Sequence, residues 1–149
     1  MADRAFRTVL EGGSYFEGPR WHDGQWWVSD FYRHTVSRVA EDAETVVLEV
    51  ENQPSGLGWL PDGSLLVVSM KDHRLLRVSD GEVSTHADLS GVCSGLHNDM
   101  VVDASGRAFV GDFGFDLMGG GAPASASLRP ARRPDRLSRP RGSTGADEG

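Results

Sequence analysis

With one cysteine, Cys93, in 149 residues, the chain has no internal disulfide framework and no multi-cysteine zinc site, and it fits a reducing compartment. The ordinary reading of Cys93 is a small buried residue rather than a nucleophile. The N-terminal sequence has no apolar run fit for a signal peptide, and no stretch approaches the ~20 apolar residues that a membrane span needs. A cytoplasmic location is therefore the default expectation, with no membrane partner. The chain also lacks a GxSxG nucleophile elbow, a phosphate-cradling GxGxxG or Walker loop and an HExxH pair, which removes the commonest hydrolase, nucleotide and zinc-protease readings. No segment has the length and period of a useful helix.

Charge is unevenly placed. Residues 1–118 hold 9 Lys and Arg against 19 Asp and Glu, whereas residues 119–149 hold 6 Arg against 3 acids. That second stretch has four prolines and no aromatic residue, too little apolar surface to offset ordering entropy, and it reads as a disordered tail. An acidic body without stacking aromatics argues against a nucleic-acid partner.

What the chain does hold is a repeat. EGPRWHDGQWWVSD from Glu17, SGLGWLPDGSLLVVSM from Ser55 and NDMVVDASGRAFVGDF from Asn98 each run from a polar residue through an Asp/Gly turn into a second apolar segment. Short strands are predicted at 18–21, 25–30, 35–40 and 45–50, then at 56–60, 65–70, 74–79 and 83–89. Asp and Gly between them tolerate the positive φ that tight hairpins demand, and Val, Leu and Trp suit a pleated surface. The turn glycines Gly24, Gly63 and Gly106 recur at the period of a four-stranded propeller blade, so the chain is read as all-β. Residues 5–10 read as a strand that closes the ring from the N-terminal side.

In such a fold the first strand of each blade lines a central channel, and Glu17, Ser55 and Asn98 open three of those strands. Carboxylate and amide oxygens are hard donors suited to Ca²⁺ or Mg²⁺. An acid or amide before a strand is equally an ordinary turn former, and pattern alone leaves both readings open. His22, His34, His73, His86 and His97 read as surface or hydrogen-bonding groups, with His97 singled out because it precedes Asn98. Trp21 and Trp59 occupy equivalent positions, which points to packing between blades.

EGPRW, SDFYRHTVSRV, QPSGLGWLPDG and HNDMVVDASGRAFVGDFGFD together resemble the N-terminal half of the SMP-30/gluconolactonase (regucalcin-like) family, over residues 6–118. The resemblance implies a six-bladed β-propeller, of which this chain would supply about two and a half blades. It also implies a divalent cation at the channel mouth, usually Ca²⁺ with Zn²⁺, Mg²⁺ or Mn²⁺ as the other choices, and hydrolysis of a small lactone. Glu17 corresponds to a metal ligand, Asn98 to a substrate-pocket residue and Asp116 to a position near another substrate contact. The family's later metal ligands, in NGL- and DGM-type motifs, have no counterpart after Asn98, and the base is expected among them. Cation binding should then be weak and the chain alone inactive, a non-catalytic calcium- or ligand-binding fragment being the alternative. Leu96 stands where some members carry an arginine, which loosens the case for an anionic sugar-acid lactone. The abrupt change near 119–121 is the kind a shifted reading frame would produce, and open blade edges would favour self-association.

Overall fold

The computed structural model describes residues 5–41, 43–92, 95–115, 119–122 and 128–131. Among them every regular element is a strand. The strands are β1 (Phe16–His22), β2 (Gln25–Asp30), β3 (Thr35–Ala40), β4 (Ala43–Glu49), β5 (Pro54–Trp59), β6 (Leu65–Ser69), β7 (Arg74–Ser79), β8 (Glu82–Asp88), β9 (His97–Val102), β10 (Ala108–Asp112) and β11 (Leu128–Ala131). They form three antiparallel meanders, ordered β1-β2-β3-β4, β5-β6-β7-β8 and β9-β10-β11. No described helix is long and apolar enough to cross a membrane.

Local chemistry sets the hairpins. Asp23-Gly24 and Asp80-Gly81 both have positive φ at successive residues (47° and 74°, 52° and 81°), the backbone twist that joins two strands by a two-residue turn. At the β5–β6 turn, Asp62 Oδ1 accepts from the Ser64 amide at 3.0 Å and Gly63 takes the positive φ.

The second meander is packed between the other two. β6, LLVVS, is buried at every position because successive side chains point to opposite faces and both faces are covered. Leu66 and Val68 join Phe31, Met70, Leu75, Met100, Ala108 and Val110 on one side, while Leu65 and Val67 join Val36, Val50 and Leu57 on the other. Each of these side chains except Ala108 contributes about 1.5–3 kcal/mol by leaving water. Trp59 belongs to the second cluster and meets Trp27 edge-on at 5.3 Å, so it packs between sheets as its position predicts. Trp21 does not: it is 61% exposed, meets Trp26 of its own sheet edge-on at 5.2 Å and lines an open cleft rather than a buried seam.

Residues 5–10 form no ladder among the described residues, where Phe6 is 98% exposed, and the blade that this segment is expected to close is not among the three described sheets. Within the stretch read as a disordered tail, Leu128–Ala131 is a strand that pairs antiparallel with β10, Ala131 opposite Ala108 and Leu128 opposite Gly111. A partner there satisfies backbone groups that β10 would otherwise present at a bare edge, and Pro130 is tolerated because no further described strand pairs beyond it. Composition hid this strand, since its partner rather than its own apolar content secures it. The remaining residues of 119–149, apart from 119–122, lie outside the described residues.

Candidate functional site

The three repeat openings fall on three equivalent irregularities. The β1–β2 ladder shifts register between Glu17 and Arg20, β5–β6 between Pro54 and Leu57, and β9–β10 between the His97 and Met100 pairings. A bulge bends the strand and re-aims the side chains it carries. Here it acts on Glu17, Ser55 and Asn98, at the same end of three neighbouring inner strands.

Glycine lets those strands approach. A Cβ on Gly56 would lie 2.5 Å from the Met100 amide nitrogen, and one on Gly18, whose φ is 55°, would lie 3.2 Å from the Ser55 carbonyl oxygen. Hydrogen bonds then run across the gap. The Ser29 hydroxyl donates to the Ser55 carbonyl at 2.6 Å, and the Ser55 hydroxyl donates to Asn98 Oδ1 at 2.8 Å. With Oδ1 accepting from Ser55, the Asn98 side chain is oriented to offer its NH₂ group, and the second lone pair of Oδ1, to a ligand. Glu17 is half-buried on β1 opposite Ser29, and no hydrogen bond links it to Ser55 or Asn98. The structure therefore joins two of the three aligned side chains and sets the third on the adjacent strand. Asp116 lies outside the described residues.

Beside Asn98 is a cleft of about 350 Å³, whose walls include Arg20, Asp99, Phe109, Asp112 and Phe113. Arg20 crosses from β1 over β5 to reach β9, where its guanidinium donates to Asp99 Oδ1 at 2.5 Å and to the Met100 carbonyl at 2.9 Å. A second cleft, about 460 Å³, opens at the other end of the inner strands among Trp21, His22, Trp59, Pro61, Val101 and Asp103.

The ends of the second strands carry carboxylates that shape the backbone. Asp30 accepts from the amides of Ser14, Tyr15 and Arg33 at 2.7, 3.1 and 3.2 Å. Burial opposes its charge, but these amides outweigh that and hold it below the usual carboxylate range. Asp112, its counterpart on β10, accepts from the Gly114 amide. At the same end of β9, immediately before Asn98, His97 is buried and its Nδ1 lies 3.2 Å from Nδ1 of His73. Burial, followed by the neighbouring His73, pushes the His97 imidazole below its ordinary value.

The donor set fits a hard cation in kind and falls short in number. Glu17 supplies one carboxylate, Asn98 Oδ1 is engaged by Ser55, and among the described residues no three His, Cys, Asp or Glu side chains are grouped to share an ion. Sequence reasoning missed Arg20, Asp99 and Asp112. The doubled SDF and GDF at 29–31 and 111–113 marks the Asp30/Asp112 position and could have revealed it; nothing local marks the Arg20–Asp99 pair.

Residues 16–140 match the family model described as the SMP-30/Gluconolactonase/LRE-like region, a match that runs past the composition break at 119. Among solved structures, the chain is similar to a gluconolactonase from Xanthomonas campestris, with 20% identity and a TM-score of 0.69 over 85% of this chain and 46% of that one. It is also similar to the calcium-binding protein regucalcin from Agrobacterium tumefaciens, with 21% identity and a TM-score of 0.56 over 74% of this chain and 44% of that one. These likenesses establish the fold as a propeller-like all-β fragment. The chain spans less than half the length of either protein. No curated protein sequence matches it.

Proposed function

The chain belongs to the SMP-30/gluconolactonase/LRE-like family, and from that premise we propose that it is the N-terminal part of a metal-dependent hydrolase of small, sugar-type lactones. The observation that supports this reading is the Ser55–Asn98 hydrogen bond, which fixes a polar side chain at the ends of converging inner strands, above a cleft with both polar and aromatic walls. Glu17 is proposed as one ligand of a divalent cation, Ca²⁺ first and Zn²⁺, Mg²⁺ or Mn²⁺ next. Such an ion, when bound, polarises the lactone carbonyl as a Lewis acid. Asn98 is proposed to donate its amide hydrogens to a lactone oxygen, oriented by Ser55, while Phe109 and Phe113 keep water from the apolar side of the ring. Asp116 is proposed as a second substrate contact.

Because less than half of a whole relative is spanned, the activity is proposed for a protein that includes this chain together with the remaining ligands and the base, and the chain by itself is proposed to turn over little. A second reading, a non-catalytic calcium- or ligand-binding fragment, is supported by the cleft of about 350 Å³ that the described residues form beside Asn98. Self-association through open edges is proposed with it, supported by the exposure of Val46 and Val47 on the outer edge strand β4. A cytoplasmic location is proposed from the near-absence of cysteine. Gluconolactone and related lactones, assayed with and without Ca²⁺ beside a Glu17→Gln variant, test the reading. In a protein that includes the remaining ligands and the base, turnover that needs the metal and is lost in the variant supports the hydrolase, Ca²⁺ binding by calorimetry without turnover supports the second reading, and the absence of both turnover and binding sinks both.

A further inference from the structure

The cleft beside Asn98 contains an arginine whose two terminal nitrogens are already engaged. Arg20 gives Nη2 to Asp99 Oδ1 at 2.5 Å and to the Met100 carbonyl at 2.9 Å, and Nη1 to the Pro19 carbonyl at 3.0 Å. Its positive charge is cancelled by Asp99 inside the cleft wall. Asp112 adds a second negative charge to that wall, so the titratable groups lining the cleft sum to a negative balance. The other nearby guanidinium, Arg107, lies over the Phe109 ring and is held by Asp103 at 2.7 Å. Leu96, two positions before Asn98, packs against the core and offers no cation either. The remaining wall, Phe109, Phe113, Val101 and Met100, is apolar.

We propose that the Arg20–Asp99 pair sets the charge preference of this site: with Asp99 holding Arg20, the cleft accepts an uncharged ring ligand against Phe109 and Phe113 and rejects one that carries a carboxylate. The inference rests on the lactone-hydrolase reading for the nature of the ring, and it names Asp99 as a specificity-determining residue. An anion entering here meets Asp99 and Asp112 before any free cation. Removing the Asp99 charge turns Arg20 from a spent donor into a planar anion anchor.

The test uses two hydrolysis-resistant lactams on the full chain, D-glucono-δ-lactam and its counterpart carrying a carboxylate at C6, with affinities read by calorimetry. The uncharged probe is expected to bind about tenfold or more tighter than the carboxylate, and Asp99→Asn to narrow that ratio by about tenfold. Adding Arg20→Gln to Asp99→Asn should take the gain away, which a merely structural role for Asp99 would not do. Asp112→Asn removes the second negative charge and must narrow the ratio as well, so the idea stays testable if Asp99→Asn does not fold. Equal or tighter binding of the carboxylate by the unaltered chain, an unchanged ratio in a folded variant, or binding of neither probe overturns the proposal. Its fate is separable from that of the hydrolase reading: a charge preference in this chain, with no lactone turnover by a protein that also includes the remaining ligands and the base, sinks only the latter, and turnover without the preference sinks only the former.

Discussion

The Ser55 hydroxyl donates to Asn98 Oδ1 across 2.8 Å, from the bulge of β5 to the bulge of β9, although 43 residues separate them in the chain. Ser55 is fully buried and its own carbonyl is held by Ser29, so the hydroxyl has a fixed origin and the amide a fixed direction. Deleting the donor leaves Asn98 Oδ1 free to rotate away. Ser55→Ala is expected to cost about 1 kcal/mol of folding stability. It should also weaken ligand binding beside Asn98 by several-fold, while Ser55→Thr keeps part of both. Urea titration and calorimetry on the same samples check this, and an alanine variant with undiminished binding would remove Ser55 from the site.

Backbone proximity makes a second prediction. A Cβ on Gly56 would meet the Met100 amide nitrogen at 2.5 Å, and backbone cannot step aside as a flexible side chain can. Gly56→Ala is therefore expected to push β5 from β9 and to destabilise by about 1–3 kcal/mol, the usual range for overpacking. Gly91, which has open space around it and no positive φ, supplies the control, and Gly91→Ala should be near neutral. Comparable losses in the two variants, measured by chemical denaturation, would mean that the close approach of the inner strands does not matter.

The elements that could be read from sequence are those punctuated by their own residues. β2, β3 and β7 have the predicted bounds, 25–30, 35–40 and 74–79, because Asp-Gly turns, His-ended turns and, after β3, the positive φ of Glu41 stop them. β11 was unreadable for the opposite reason, since among the described residues it pairs with the edge of β10 alone. The site divides in the same way. Ser55 and Asn98 could be paired because the repeat aligns them, whereas Arg20 and Asp99 are 79 residues apart and meet only through the reach of one side chain over β5. Glu17 shares the alignment but not the contact, since a bulge re-aims each side chain by its own local geometry.

The His73–His97 contact predicts how stability responds to acid. Two ring nitrogens 3.2 Å apart form a hydrogen bond only if one donates and the other accepts, so protonating both breaks it. His97 is buried, and burial together with His73 lowers its folded-state value, while nearby Asp112 only partly opposes the shift. Across the contact His73 faces Asp88 and Arg74, the groups of its own meander. A base whose folded value is depressed takes up its proton in the unfolded chain first. Its stabilising contribution is complete above the unfolded value of about 6.5 and is lost as pH falls from there toward the lower folded value. Asp30, Glu44 and Asp88, all held below their ordinary values, act in the same sense but only in the carboxylate range. The melting temperature should therefore begin to fall below about pH 6.5, well before those carboxylates titrate. His97→Gln keeps a polar side chain without the titration, so it should lower stability at pH 8 yet flatten the curve between about pH 7 and 5. Thermal melts of both proteins across that window decide the matter, and parallel curves would show that His97 carries no proton linkage.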